Sequence, residues 1–557
     1  MRLTEKDSDL ERTPSIILQM QYLPKLLVGI LCLAFAGSCQ RYPHTVKQVP
    51  EAPANAALVT NYTDSTILLP AGAHYKRGAI HTFFYGKHYR PAWYTPIKVK
   101  VLDIGTVNGG LTPLQMGGSR QTITLRAAAA NGTEYVLRSV DKEPAGALSP
   151  KWQKSYVANI ARDATAATHP YAALALPGMA KAIGIYHTTP ELYYVPHDPR
   201  LGKYAETIGG TMVLLERRPV GNQQDNPDMG NAEKVKSSRS MLTERLSDND
   251  TKVDARNYLR ARLFDMLIGD WSRHEDNWRW AELEPEEKAY TYRPIPRDRD
   301  NVFYKLHDAP IPWLTHRLKY KPHFRTYYKR VGNLKKLNYN ARNLDALLLS
   351  ELELKDWEEI ADSVKVALTD EVIEQSFKAM PDTIHQLTAG PIISKLKAHR
   401  NNILETARDY YAILAEEAIV VGTDKHEQFI VKALNKDEVQ VQVYKLTKDA
   451  EVKNLLFERT YKSSHTDKLI LYGLSGDDRF VLQGVAPPGI KISIWGGDGE
   501  DTYTSDSEKS AGNKICIIDS TYGNNFVTGD RVKLKLDDNI RAKDFSGAGF
   551  LLHFYLD

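Results

Sequence analysis

The 557-residue chain balances 73 Lys and Arg against 69 Asp and Glu for a formal net charge of +4, with 42% hydrophobic and 25% charged residues. A charge this close to neutral implies no polyanionic partner, so nucleic acid is excluded as an expected ligand. Three cysteines exclude a zinc site built on cysteine thiolates, and no structural disulfide is expected.

At the N-terminus, Leu23-Pro24-Lys25 precedes an apolar run from Leu26 to Phe35, and the small residues Ala36-Gly37-Ser38 lead into Cys39. This is the pattern of a signal peptide over residues 1–39 with a lipobox-like cleavage site, and Met20 makes a better signal start than Met1. The run is too short for a comfortable membrane span. The expectation is an exported lipoprotein of the cell envelope, held at a membrane, the outer membrane by preference, through lipid on Cys39.

About 520 residues then remain, enough for two or three domains. Residues 40–95 are polar and turn-rich and read as a tether with a few short strands. From 96 to 220 short β-runs dominate: Ile97-Lys-Val-Lys-Val-Leu, Gln121-Thr-Ile-Thr-Leu-Arg, Glu134-Tyr-Val-Leu-Arg, Leu192-Tyr-Tyr-Val and Met212-Val-Leu-Leu-Glu. Asn131-Gly132 between the second and third predicts a hairpin. Trp152 to Ile183 reads as a helical insertion broken at His169-Pro170.

The stretch 220–250 is polar and reads as a mobile connection. Within 221–417 helical periodicity then predicts helices over 258–268, 343–368, 369–380 and 392–417. From 418 to 557 apolar and polar residues alternate again between Gly and Asp turns, which predicts an all-β domain. The fold class is therefore α+β.

Chemistry concentrates in two loops. Phe264-Asp-Met-Leu-Ile-Gly-Asp-Trp-Ser-Arg-His-Glu-Asp-Asn-Trp carries a helix into a charged loop, and Pro294-Ile-Pro-Arg-Asp-Arg-Asp-Asn-Val-Phe303 returns as an acidic one. Phosphoryl transfer needs a base that orients the acceptor, a loop oxygen on the metal and a carboxylate bridging metal to phosphates. Asn277 and Asp298 have the types required for the last two. Trp271, Trp278 and Trp280 read as packing residues that lock the loop.

Ile295-Pro296-Arg297-Asp298-Arg299-Asp300-Asn301-Val302-Phe303 resembles the Ile-Pro-x-Asp-x-Asp-x-x-Phe loop of CotH-type kinases. Ser272, His274 and Asn277 occupy the positions of the Asp-x-His-x-x-Asn loop of HipA-like, lipid and secretory-pathway kinases. The resemblance implies an atypical kinase-like bilobal fold, with a β-rich N-lobe over 96–220 and an α-rich C-lobe over 221–417, binding ATP with Mg²⁺ or Mn²⁺. It implies metal ligands at Asn277, Asp298 and Asp300, and a bracing role for His274. Ser272 departs from the pattern, which has the catalytic aspartate there, and Asp270 is the candidate substitute base.

The same resemblance implies a phosphate-covering loop at Gly117-Gly118, with Gly109-Gly110 upstream. Arg138 takes the place of the lysine that contacts phosphates, with Lys142 nearby, Asp163 is the helix acid that should pair with that cation, and Glu216 ends a hinge strand. Residues 100–415 also resemble the central module of large Bacteroidota outer-membrane proteins, through Tyr135-Val-Leu-Arg-Ser-Val-Asp-Lys, His169-Pro-Tyr-Ala-Ala-Leu and Arg262-Leu-Phe-Asp-Met-Leu-Ile-Gly-Asp-Trp. Relatives of that kind carry a phosphoesterase or an outer-membrane β-barrel, so an envelope or barrel protein is an expected partner. An active kinase acting on an envelope protein or glycan, a pseudokinase assembly module and a phosphoesterase-associated protein are the three functional expectations.

Trp495-Gly-Gly-Asp-Gly-Glu-Asp-Thr-Tyr503 matches one calcium-binding nonapeptide repeat, and Gly473-Leu-Ser-Gly-Asp-Asp-Arg-Phe480 half-matches another. Asp498 and Asp501 are the candidate Ca²⁺ ligands. Isolated copies also suit β-solenoid turns, where glycine supplies positive φ and aspartate bonds the turn backbone.

Overall fold

The alternating runs of the first half assemble into one sheet. In the computed structural model, strands β1 (Thr66–Leu69), β2 (Ile97–Val101), β3 (Leu111–Gly117), β4 (Thr122–Ala129), β5 (Glu134–Lys142), β6 (Glu191–Val195) and β7 (Thr211–Arg217) lie in the order β1-β2-β6-β7-β5-β4-β3. The structure describes residues 61–117, 121–283, 289–317, 324–484, 489–506, 515–529, 532–538 and 545–554. The signal sequence, Cys39 and Gly118 lie outside them. The Asn131-Gly132 hairpin joins β4 to β5, with Gly132 at φ +83° as such a turn requires.

The segment expected to be a tether is built into the core from residue 66 onward. β1 pairs with β2, and Ala71, Tyr75, Ala92 and Trp93 are fully enclosed against Tyr171 and Met179. The polar stretch 220–250 is ordered too. Gln223, 1% exposed, donates from its amide to the carbonyls of Arg218 and Val220, and Ser237 caps the helix Ser238–Ser247. Side-chain bonds of this kind to backbone carbonyls hold a loop that has no apolar run.

A second sheet, in the order β8-β10-β11-β9, comprises β8 (Lys234–Ser237), β9 (Thr251–Val253), β10 (Trp278–Glu282) and β11 (Tyr290–Pro296). It packs on the helix Ala255–Ile268, nearly every residue of which is buried. Helices Arg342–Leu348, Leu354–Ala367, Asp370–Phe377, Asp382–Asn401 and Ile403–Ala415 complete this layer. Trp278, Trp280, Trp357, Phe377 and Tyr410 join one continuous core with them.

The C-terminal region is a parallel β-solenoid. Strands β12 (Glu417–Val421), β16 (Lys468–Ser475), β18 (Lys491–Asp498), β20 (Ile515–Asp519) and β22 (Val532–Leu536) form one all-parallel face. The opposite face stacks β13 (Glu427–Ala433), β17 (Arg479–Gln483), β19 (Thr502–Ser505) and β21 (Asn525–Val527), with β14 (Glu438–Leu446) and β15 (Val452–Lys462) added antiparallel at one edge. A helix, Gly547–Phe554, closes the described chain, so the region is not purely β.

The two nonapeptide-like segments occupy successive turns 23 residues apart, and a ladder of carboxylates runs through them. Asp478 accepts from the Glu427 amide, Asp501 from the Asp478 amide, and Asn524 from the Asp501 amide. Phe429, Phe480, Tyr503 and Phe526 stack beside this ladder at 4.8–5.0 Å. Asp498 faces solvent on its turn, whereas Asp501 is enclosed and committed to this internal bonding.

Burial, with the neighbouring Asp519 and Asp477 carboxylates, pushes the Asp501 carboxyl up to about 8. Because the folded chain then holds that proton more tightly than the unfolded chain, the contribution is complete below about pH 4 and is lost as pH rises toward 8. Thermal melts across that range should show a falling melting temperature in the wild type and a flatter profile in Asp501→Asn. Parallel profiles would remove Asp501 as the cause.

Candidate functional site

Both charged loops leave the same hairpin. The helix Ala255–Ile268 stops at Gly269, whose φ of +70° is a left-handed cap and whose missing side chain leaves room for the Tyr327 ring. Residues 270–277 follow and run into β10. β11 returns antiparallel with Trp278 opposite Pro296, so the Arg297 amide donates to the Asn277 carbonyl at 3.0 Å. Asn277 and Asp298, far apart in sequence, are thereby neighbours.

Arg273 staples the loops together. Its guanidinium, 1% exposed, donates to the Asp298 carbonyl at 2.8 Å and lies 3.0 Å from Asp270 Oδ2. Arg299 explains the Asp-Arg-Asp alternation. It turns inward onto Asp265 at 2.8 and 3.1 Å and stacks over Phe264, which leaves the flanking Asp298 and Asp300 directed at the seven-stranded sheet. Asp265 in turn holds Arg262, which grips Asp345 and Asn338. Asp298 is in the left-handed region at φ +60°, which aspartate tolerates better than most residues.

Each outward aspartate meets a cation from β5. Asp298 pairs with Arg138, and Asp300 with Lys142 at 2.8 Å, where the ammonium also donates to Asn301. Burial acts to raise the Asp300 carboxyl, but the Lys142 ammonium and the Arg138 guanidinium outweigh it and hold it below its ordinary range. Burial, reinforced by Arg279 and Arg138, pulls the Arg297 guanidinium down to about 9. The cleft between Arg138, Leu214, Glu216, Asp298 and Asp300 has a cavity of about 40 Å³. Small-molecule sites are about 300–1,000 Å³, so a nucleotide would have to part these ion pairs to enter.

Other expected residues fall as follows. Gly117 pairs with Thr124, Thr124 with Arg138 and Arg138 with Leu214, so the end of β3 is level with the strand cation. Glu216, expected at a hinge, pairs with Arg138 at 3.4 Å. Asp163 does not reach that cation. It is locked by both terminal nitrogens of Arg90, at 2.9 and 2.6 Å, because the segment read as a tether supplies a nearer guanidinium.

Asn277 donates from Nδ2 to the Ser272 carbonyl at 2.6 Å, and the Asn277 amide bonds the His274 carbonyl. His274 thus contributes backbone to the loop's internal bonding. Asp270 is the residue least placed for its expected role. Its Oδ1 accepts both the Ser272 amide and hydroxyl, at 2.9 and 2.7 Å, and its side chain is buried against Arg273.

The carboxamide oxygen of Asn277 and the carboxylates of Asp298 and Asp300 are hard oxygen donors, of the kind that suits Mg²⁺ or Mn²⁺. Among the described residues no group of three or more His, Cys, Asp or Glu side chains is arranged to hold a metal. The set therefore depends on the amide. Arg273 and Arg299 are the site residues that motif reading passes over, whereas Lys142, read only as lying near Arg138, meets Asp300. The alternation of charge in Arg297-Asp298-Arg299-Asp300 was the available signal for Arg299.

No protein-family model matches the chain, and no curated protein matches it. Among solved structures it is similar to the Helicobacter pylori proinflammatory kinase CtkA, at 12% identity over 53% of this chain and 93% of that one, with a TM-score of 0.26. That likeness is coarse and carries no argument about activity.

Removing Arg273 leaves Asp270 buried without its cation, and losing one partner of such a pair costs about 3–5 kcal/mol. Urea unfolding of Arg273→Ala should show a loss of that order. A loss below about 1 kcal/mol would mean that the loops do not depend on it.

Proposed function

We propose that this is an exported, lipid-anchored kinase-like protein that binds ATP with a divalent cation in the cleft between the seven-stranded sheet and the two charged loops. The observation that carries the reading is the inward anchoring of Arg299 on Asp265, which turns Asp298 and Asp300 toward Arg138 and Lys142. In this reading Asn277 and Asp298 hold the cation, with Asp300 assisting, and the cation neutralises charge on the transferring phosphoryl group. Arg138, released from Asp298, contacts phosphate oxygens, although its planar fork cannot reproduce a lysine's geometry. Arg273 and the Asn277 amide keep the loop from drifting. An envelope protein or glycan would be the acceptor.

A specific observation favours a second reading, a pseudokinase that serves as a binding or assembly module. Asp270, the substitute base, has its carboxylate engaged by Ser272 and Arg273 and is 1% exposed, so it cannot take an acceptor's proton without rearrangement.

A thermal-shift titration with ATP, with and without Mg²⁺ or Mn²⁺, tests the nucleotide site. The expected outcome is a metal-dependent rise in melting temperature that Asp298→Ala abolishes; no rise at millimolar ATP sinks the kinase reading and leaves the assembly module. Phosphate release measured on Ser272→Asp then separates them. A large gain over the wild type points to lost catalysis, and little change to a working Asp270.

A further inference from the structure

A second cavity, of about 230 Å³, has Lys142, Asp163 and Asn301 among its lining residues. Its walls come from the helix Tyr156–Ala164, the turn Pro144–Ala147, the end of the helix Ala79–Tyr85 and the helix Pro310–Arg317. They are mainly apolar, with Leu148, Ile160, Ala161, Leu306, Ile311 and Phe324 among them, and Trp271 of the catalytic-type loop forms part of the lining. An apolar cavity of about 150 Å³ already suffices to take up benzene, so this one has room for a section of hydrocarbon chain.

The cavity reaches the surface, because Ala147 and Val157 both line it and are exposed. The elements around it carry large apolar side chains outward: Ile80 at 75%, Phe83 at 66%, Trp313 at 57% and Trp152 at 46% exposure. Exposed Lys87, Lys151 and Lys154 accompany them, with the Lys151 ammonium 5.5 Å over the Trp152 ring. Aromatic and aliphatic side chains mixed with lysines form the composition of a surface that lies in a lipid interface, where rings sit at head-group level and ammoniums meet anionic phosphates.

We infer that this face seats on an anionic lipid surface and that the cavity takes the acyl chain of one lipid, its head group held among the exposed lysines of the surrounding elements. Two features select lipid over a protein segment. The cavity is a mainly apolar recess with room for a section of chain, and charge complementarity with the exposed lysines favours a phosphate-bearing surface. The site shares Lys142 and Asn301 with the edge of the cleft but none of Arg138, Asp298 or Glu216, so nucleotide binding is measured separately on the same preparation.

The test uses the mature polypeptide from Gln40 onward, without the lipid that would itself hold it on vesicles, and two probes. The first is a lysophosphatidylglycerol with a twelve-carbon chain, titrated below its micelle concentration. The second is vesicles of three parts phosphatidylethanolamine to one part phosphatidylglycerol. Saturable binding of one lysolipid per chain is expected, at least tenfold weaker in Ala161→Phe, which fills the cavity. Val157→Trp, which blocks its mouth, serves as a second variant should the first misfold, and melting temperature reports folding for both. Phe83→Ser with Trp313→Ser should leave lysolipid binding intact and lower vesicle co-sedimentation severalfold relative to the wild type. No saturable lysolipid binding, or binding that a folded Ala161→Phe or Val157→Trp leaves unchanged, overturns the acyl-chain site. Co-sedimentation unchanged by the surface pair overturns the lipid seat and gives the face to another segment of the chain or to a protein. The ATP titration on the same preparation shows which of the two sites has failed.

Discussion

The arrangement at the centre of this molecule depends on a chain of desolvated charges, Arg299–Asp265–Arg262–Asp345, sealed between the helix Ala255–Ile268 and its neighbours. Arg262, Asp265 and Asp345 are wholly buried, and Tyr258 and Tyr410 both donate to Asp345. Charges removed from water in this way contribute little net stability compared with apolar side chains of equal volume, because desolvation opposes their attraction. What they supply is position. Arg299 satisfies its guanidinium on Asp265, and that inward direction sets which way Asp298 and Asp300 face.

The consequence reaches the cleft. Two aspartates aimed outward at a sheet would repel each other without cations, and β5 provides one for each. Arg138 and Lys142 are four residues apart on β5, and Ser139, between them, accepts the Ile123 amide on the neighbouring strand. The cleft is therefore electrically balanced in its closed state. A polyanion with a divalent cation could exchange these pairs for equivalent ones, whereas a neutral ligand that parted both would leave four charges unpaired at the cost of their desolvation. In the proposed reading, selection of a phosphate-bearing ligand rests on this pairing of charges and not on the shape of the cleft.

Much of this was legible in sequence where periodicity reports burial on one face. The runs at 97, 121, 134, 192 and 212 became strands, and the 258–268 periodicity became the helix Ala255–Ile268. The expected helix 343–368 splits at a turn into Arg342–Leu348 and Leu354–Ala367, the second opened by a Glu353–Asp356 capping box. What periodicity could not report was partnership across distance. Asp163 is expected to pair with Arg138 as the only carboxylate of its helical stretch, while its partner Arg90 lies 73 residues upstream in a segment whose polar, turn-rich composition disguises it. Likewise Gln223 holds its loop by side-chain bonds to carbonyls, which leave no hydrophobic signature.

The solenoid shows the same lesson in reverse. Two motif copies that looked isolated are consecutive turns, because the intervening residues supply the opposite face and the turn back; a longer period of 23 residues conceals the repeat from a search for tandem nonapeptides. Its first turn is also tied to the helical region. Glu427 accepts from Asn249 at 2.9 Å, Lys445 holds Asp250, and Arg459 donates to the Ser350 carbonyl. Phe550 and Phe554 of the last helix pack on Tyr472, and Asn343 donates to the Phe554 carbonyl at 2.6 Å. The helix Arg342–Leu348 that receives this contact also carries Asp345, the terminal carboxylate of the buried charge chain. The solenoid therefore braces the element on which the orientation of Arg299, and with it the two cleft aspartates, finally rests.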